Sequence, residues 1–487
     1  MLALANGKIW TGDVARPFAE SVVIDGNRIA SVGEPAPPGA RVIELRGRLA
    51  VPGFIDNHTH FIDGGLQLSR VQLRDAATPQ EFARRIGDYA TTIGKGKWIT
   101  GGGWDHTLWS PPALPTRQII DAVTPDNPVF VSRVDMHMAL ASSAALTLAG
   151  VTRDTPNPPG GTIVRDANSE PTGILKDSAM ELVAVPPATT AERAAAARAA
   201  LAETARFGVT SLCDMSGPDA EEDFRAYDSM GELTARVHFF TPILNPGGLR
   251  TGVKGFADGS LGSSTAAFFD PYVDDPADRG LLMQSMTDGR MKAAAVAADR
   301  RGVQVAIHAI GDRANDEVLK IFESMPRGRR YRIEHAQHLN AALIKRFADA
   351  EVIASMQPYH AVDDGRWMEP KIGLERARWA YAFRALLDAG VTVTFGSDWT
   401  VAPLDPLLGV RAAVTRGVTV AEALRCYTAN NAYAMFRETE IGRIAPGMLA
   451  DIVVLSDDLF TITPEKIAEV RVDFTIFDGQ TIYERSH

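Results

Sequence analysis

The sequence predicts an α/β protein: a (β/α)8 barrel of the TIM type, a small β-sandwich domain built from both termini, and a large insertion after the first barrel strand. Three observations lead there. Eight short β-rich runs between residues 51 and 395 alternate with helical stretches, the pattern of a parallel sheet that closes at eight strands. The first fifty and last forty residues hold only short alternating segments, which cannot bury a sheet alone and so are expected to pair with each other. A span of about 61–190 separates the first β run from the second and must fold as an excursion from the barrel.

The elements follow in order. Leu2–Thr11, Ser21–Val32 (turning at Asp25-Gly26-Asn27) and Arg41–Leu49 alternate apolar and polar residues, as do Ala450–Leu455, Val472–Phe477 and Thr481–Glu484. Residues 1–50 and 437–487 are therefore expected to form one composite domain, with residues 51–436 as the barrel. The eight predicted barrel strands are Val51–Ile55, Val209–Cys213, Val237–Ile243, Val253–Phe256, Val303–Ile307, Tyr331–Ile333, Val352–Ser355 and Val391–Phe395. Predicted helices include Glu192–Phe207, Met291–Arg300, Asp316–Ser324, Ala341–Ala350 and Ala380–Ala389. One link is short: between Ile243 and Lys254 either the third strand is misplaced or its helix is reduced to a loop. The insertion, with a helix over Pro79–Ile93 and β runs at Trp98–Gly101 and Val129–Val134, is expected to be a lid or pocket wall.

Composition narrows the function. With 45% apolar and 23% charged residues, the chain is an ordinary globular protein, neither disordered nor fibrous. Fifty basic against sixty acidic residues give a net charge of −10, so nucleic acid and anionic membrane surfaces are poor partners and a small molecule is the expected one. Cys213 and Cys426 cannot build a disulfide framework and read as buried apolar residues. The start lacks the basic n-region of a signal peptide, and the apolar stretch Met138–Gly150 is too short to span a bilayer; a cytoplasmic location is expected.

The chemistry concentrates at strand ends. In Asp56-Asn57-His58-Thr59-His60, two histidines spaced by two point to the same face of a strand. His308, His335 and His360 also end or follow β runs, and Asp398 follows the eighth. The carboxyl ends of barrel strands converge on one mouth, so these groups are expected to meet. A single histidine near a strand end is more often structural; several at one mouth, two of them in His-x-His, point to a metal. Imidazole with carboxylate suits Zn2+, with Fe, Mn or Ni as alternatives. Lys254 lies inside an apolar strand, where a buried charge is costly. It either pairs with Asp258 or Asp398, or, with its pKa depressed, captures CO2 as a carbamate that could bridge two metals.

This set, together with Asp258-Gly259-Ser260-Leu261-Gly262-Ser263, Ile307-His308-Ala309-Ile310-Gly311-Asp312, Ile333-Glu334-His335, Ser355-Met356-Gln357-Pro358 and Gly396-Ser397-Asp398-Trp399, resembles the amidohydrolase superfamily. Within it, the phrases look like the YtcJ-type or N-substituted formamide deformylase-like branch (amidohydrolase family 3). Ile441-Gly442-Arg443 through Asp451 resembles the stretch that enters that superfamily's β-sandwich. The resemblance implies that His58, His60 and Asp398 hold one ion and His308 and His335 another, with carboxylated Lys254 bridging; one or two ions are compatible with it. It also implies hydrolysis of a non-peptide C–N bond (amide, N-acyl or N-formyl, the EC 3.5 class), with metal-activated water and Asp398 as general base.

Trp104, His106, His137, Asp312, His360 and Trp399 are candidate substrate contacts; packing, capping or ion pairing are the plainer roles for each. His338 and His487 read as surface residues and His238 as a satisfied core histidine. Two competing functions keep the barrel: a metal-dependent decarboxylase or hydratase, and an inactive metal-binding scaffold. A homodimer is the expected assembly, as symmetric dimers are the commonest oligomers.

Overall fold

Strands covered on both faces read as near-continuous apolar runs, and eight such runs form one parallel sheet. Its strands are Phe54–Thr59, Val209–Met215, Arg236–Pro242, Gly252–Phe256, Gln304–Ala309, Arg332–His335, Ile353–Met356 and Val393–Phe395, hydrogen-bonded in that order. This computed structural model describes all residues except Ser216, Pro218, Glu232, Leu249, Arg250 and His487. The surface histidine expected at His487 therefore lies outside the described residues.

The sheet curls into a nearly closed barrel. Asp398 N donates to His58 O at 2.7 Å and His60 N to Trp399 O at 2.6 Å, bringing the end of the eighth strand onto the first. Below them the buried Asp56 carboxylate accepts the amides of Ser397 (2.9 Å) and His58 (3.1 Å). Asn431 Nδ2 donates to the carbonyls of Ile55 and Phe395, tying both strands from outside. Gly396 permits the approach: a Cβ there would lie 2.6 Å from Asp56 Oδ1 and from His58 N.

Helices cover the outside. Thr190–Arg206 starts with a reciprocal capping box between Thr189 and Glu192. Arg290–Arg300, Asp312–Glu323, Ala341–Asp349 and Phe383–Asp388 follow the later strands. The last begins later than the predicted Ala380 because Tyr381 sits in the left-handed region (φ 53°), where a helix cannot propagate. Residues 243–251 join the third and fourth strands with no helix among the described residues, and Pro242 pairs with Lys254. The described residues of the short link thus form a loop where the pattern calls for a helix.

The predicted first barrel strand needs correction. Leu49–Pro52 belongs to a different sheet and pairs antiparallel with Ile452–Leu455 near the other end of the chain; the barrel strand starts only at Phe54. That sheet also contains Lys8–Trp10, Phe18–Ala19, Val472–Phe477 and Gln480–Glu484. A second sheet, of Leu2–Ala5, Val22–Asp25, Arg28–Val32 and Arg41–Glu44, shares one apolar core with it through Leu4, Ile24, Ile43, Ala50, Ile452 and Val454. Between the first two barrel strands lies a six-stranded sheet with its own core around Phe82, Trp104, Val131 and Leu140. No helix among the described residues is long and apolar enough to cross a membrane.

Candidate metal centre

The strand ends deliver the groups because their backbone turns there. In a regular strand Glu334 and His335 would face opposite sides. His335 instead adopts φ 72° and Asp398 φ 57°, left-handed conformations uncommon for residues other than glycine, though histidine and aspartate enter them more readily than most. Each turn re-aims a side chain into the mouth, a use of strain that clusters at functional sites.

Two overlapping groups of ligand atoms result. His58, His60 and Asp398 bring nitrogen and oxygen atoms within 4.8 Å of one another, and so do His335, His360 and Asp398. Asp398 Oδ1 lies 3.3 Å from His60 Nε2 and 3.5 Å from His58 Nε2; its Oδ2 lies 3.9 Å from His360 Nε2. Both Asp398 Oδ1 and His360 Nε2 are buried and make no hydrogen bond among the described residues. Lys254 Nζ is 3.4 Å from His58 Nε2, with no carboxylate in ion-pair reach among the described residues. The salt bridge to Asp258 or Asp398, one of the two alternatives for this lysine, does not form. His308 joins neither group: its Nε2 faces Gly259 O at 3.0 Å and Asp258 Oδ1 at 3.3 Å, so the proton sits on Nε2 and the lone pair on Nδ1. Its ring nonetheless lies 4.5 Å from that of His335.

Electrostatics suit a cation. Burial, then the charge of Lys254, pushes His58 down to about 4, so its imidazole is neutral at pH 7. Burial, then His308, lowers His335 well below the usual histidine range. Burial alone would raise Asp398, but His58, His60 and His335 hold it well below the carboxylate range and hence ionised. Burial lowers Lys254 to about 8, so the free amine is accessible near neutrality. Neutral imidazoles at His58 and His335, an ionised carboxylate at Asp398 and buried atoms without a hydrogen-bond partner among the described residues fit a divalent metal. Burial alone would lower His60, but Asp398 raises its pKa, so a metal would have to displace a proton there.

A ring of oriented partners was not evident from the sequence. Glu334 Oε2 faces His58 Nδ1 at 2.6 Å, and Gln357 Oε1 faces His335 Nδ1 at 2.7 Å. The first bond leaves Nε2 of His58 toward Asp398, as in metal sites generally, whereas in His335 the nitrogen bonded to Gln357 is also the one 4.0 Å from Asp398 Oδ2. Asp258, fully buried, accepts the amides of Ala267, Ile310 and Gly311 and flanks His308. Arg332, buried inside the barrel, donates to Glu334 Oε1 at 2.7 Å and to Asn57 O at 2.7 Å. The usable signal is a polar residue inside an otherwise apolar strand, as at Arg332 and Glu334, or just after its end, as at Asp258 and Gln357.

The six proposed substrate contacts separate. His137 and His360 line the cavity above the centre, with Arg133, Asp135, Ser260, Gln337, Asp364 and others. His137 Nδ1 pairs with Asp177 at 2.6 Å, and its ring lies 5.2 Å from His308. The other four are absent from that lining. Trp104 is buried in the insertion's core, its indole donating to Val131 O at 2.9 Å, because a large ring with one donor is satisfied there. His106 stands behind the wall, 3.5 Å from Arg133 Nε. Asp312 opens its helix and accepts Phe269 N at 3.0 Å, an anchoring role. Trp399 packs on Phe61 and Gly64. His338, expected on the surface, is buried beside Gln337, Phe268 and Tyr381. His238 is in the core as expected, although its Nε2 has no hydrogen-bond partner among the described residues.

Comparison with known proteins agrees with this geometry. The amidohydrolase family model matches residues 41–483, almost the whole chain. The chain belongs to the amidohydrolase family. Within the family it is 33% identical to the YtcJ protein of Bacillus subtilis (strain 168), over 92% of each chain. It is 29% identical to the N-substituted formamide deformylase of Arthrobacter pascens, over 100% of this chain and 98% of that one. A crystal structure of an uncharacterized metal-dependent hydrolase from Pyrococcus horikoshii OT3 superposes with a TM-score of 0.76 at 29% identity, covering 95% of this chain and 99% of that one. This amidohydrolase therefore shares its whole architecture with metal-dependent hydrolases.

Proposed function

We propose that this protein is a metal-dependent hydrolase of a non-peptide C–N bond in an amide, N-acyl or N-formyl compound. The observation that carries the reading is the convergence of His58, His60, His335 and His360 on Asp398, whose Oδ1 is buried without a hydrogen bond among the described residues. His58, His60 and Asp398 would hold one ion, Zn2+ being the best match to the donors. His335 with His360 or His308 would hold a second, and Lys254 as its CO2-derived carbamate would link the two. A bound divalent ion lowers the pKa of a coordinated water toward neutrality and polarises a carbonyl.

The chain's own residues supply the rest. Asp398, held ionised, takes the proton of the attacking water and passes it to the leaving nitrogen, so that the departing group leaves as a neutral amine. Glu334 keeps His58 in the tautomer that presents Nε2 to Asp398, and Gln357 fixes the ring of His335. The insertion, through Arg133, Asp135 and His137, covers the site and limits water. The deformylase relative supports an N-formyl substrate, and an amide panel tests the whole reading. Elemental analysis should find at least one divalent metal per chain, and formamides or acetamides should release formate, acetate or amine. Metal without release from any amide would leave a scaffold, and CO2 release would point to decarboxylation.

A further inference from the structure

A second cavity opens beside the metal centre, and the hydrolytic reading leaves it unused. Where the third βα helix is missing, Pro242, Ile243 and Leu244 line this space with Phe256, Met283 and Met291; Glu181 and Arg290 also border it. It holds about 390 Å3, against about 60 Å3 for the cavity over His335, His360 and Asp398. The smaller volume admits a few waters or a compact polar group. The larger one admits a ring or branched chain.

Phe256 stands between the two. Its ring centroid lies 4.7 Å from Lys254 Nζ and 5.3 Å from the ring of His308, which lines the smaller cavity. Phe256 is nevertheless 41% exposed and Leu244 49% exposed. Apolar side chains left open in a cavity next to a reactive centre suit an apolar ligand group that covers them.

An amide carries one substituent on carbon and another on nitrogen, and a centre between two cavities can hold both. We infer that the larger cavity is a specificity subsite for the bulkier, apolar substituent of the substrate, with Phe256 and Leu244 as contact surfaces. The narrow cavity near Arg133, Gln337 and Asp364 takes the smaller side of the bond. This inference rests on the hydrolytic reading.

The test uses the metal-loaded protein and amides in which the acyl and the nitrogen substituents are lengthened separately from methyl to benzyl. On one side of the bond, kcat/KM should rise with apolar bulk. In Leu244→Asp the benzyl-to-methyl ratio of kcat/KM should fall about tenfold, a change of the size given by a few lost methylene contacts, whereas Leu244→Met should keep it. Wild-type metal content in both variants shows that the centre is intact. A ratio unmoved by Leu244→Asp overturns the subsite alone. Failure of the wild type to hydrolyse any amide overturns the hydrolytic reading and the subsite with it.

Discussion

Glu334 Oε2 lies 2.6 Å from Nδ1 of His58, at the bottom of the mouth and out of reach of solvent. The same carboxylate is fixed by Arg332 at 2.7 Å and by Ser355 Oγ at 2.7 Å. The barrel interior thus carries a buried arginine–carboxylate–imidazole chain that ends at a candidate ligand nitrogen. Burial alone would raise Glu334, but Arg332 and His58 hold it well below the carboxylate range. Glu334→Gln keeps the shape and removes the charge, so metal affinity should fall roughly 10–100-fold. Metal titration against a competing chelator measures this, and unchanged affinity would remove Glu334 from the site.

Asp398 is both a candidate ligand and the candidate proton carrier. Asp398→Asn should lower kcat by at least about a hundredfold, the scale of a lost general base. The far-ultraviolet circular dichroism spectrum should not change. Near wild-type turnover on an amide already shown to be a substrate would refute the assignment.

Barrel closure depends on a missing side chain. Gly396→Ala would place a Cβ 2.6 Å from both Asp56 Oδ1 and His58 N, where backbone and a buried carboxylate cannot yield easily. Destabilisation of about 1–3 kcal/mol is expected, as for overpacked cores. Lowered metal affinity should accompany it, since His58 shares the contact. A denaturation midpoint equal to wild type would show that the two strands are free to part.

Stability should also fall in mild acid, and His238 should account for part of it. Burial, then the charge of Arg332, pushes His238 down to about 3. The unfolded chain takes up this proton near pH 6.5, which the folded chain refuses until about pH 3. Stability is therefore fully present above pH 6.5 and drains as pH falls through that window, by up to about 1.4 kcal/mol per pH unit for one histidine. The loss of stability between pH 7 and pH 5, followed by denaturant unfolding, should be smaller in His238→Gln. Equal losses in both proteins would assign the acid sensitivity elsewhere.

Much of this was legible in the chain. Alternation of β-rich and helical runs determined the parallel eight-stranded sheet, because strands covered on both faces need apolar residues throughout. The spacing His58-x-His60 and the strand-end positions of His308, His335, His360 and Asp398 marked one mouth. The tertiary structure alone decided which of them face one another. Side-chain alternation is a local rule, and the left-handed turns at His335 and Asp398 suspend it where it matters. Nor could local pattern show that Leu49–Pro52 pairs with a strand some four hundred residues away, since Val51 to Ile55 reads as one apolar run. The burial of Trp104 and His338 has a related reason: residue type says what a side chain can do, and only packing says what surrounds it.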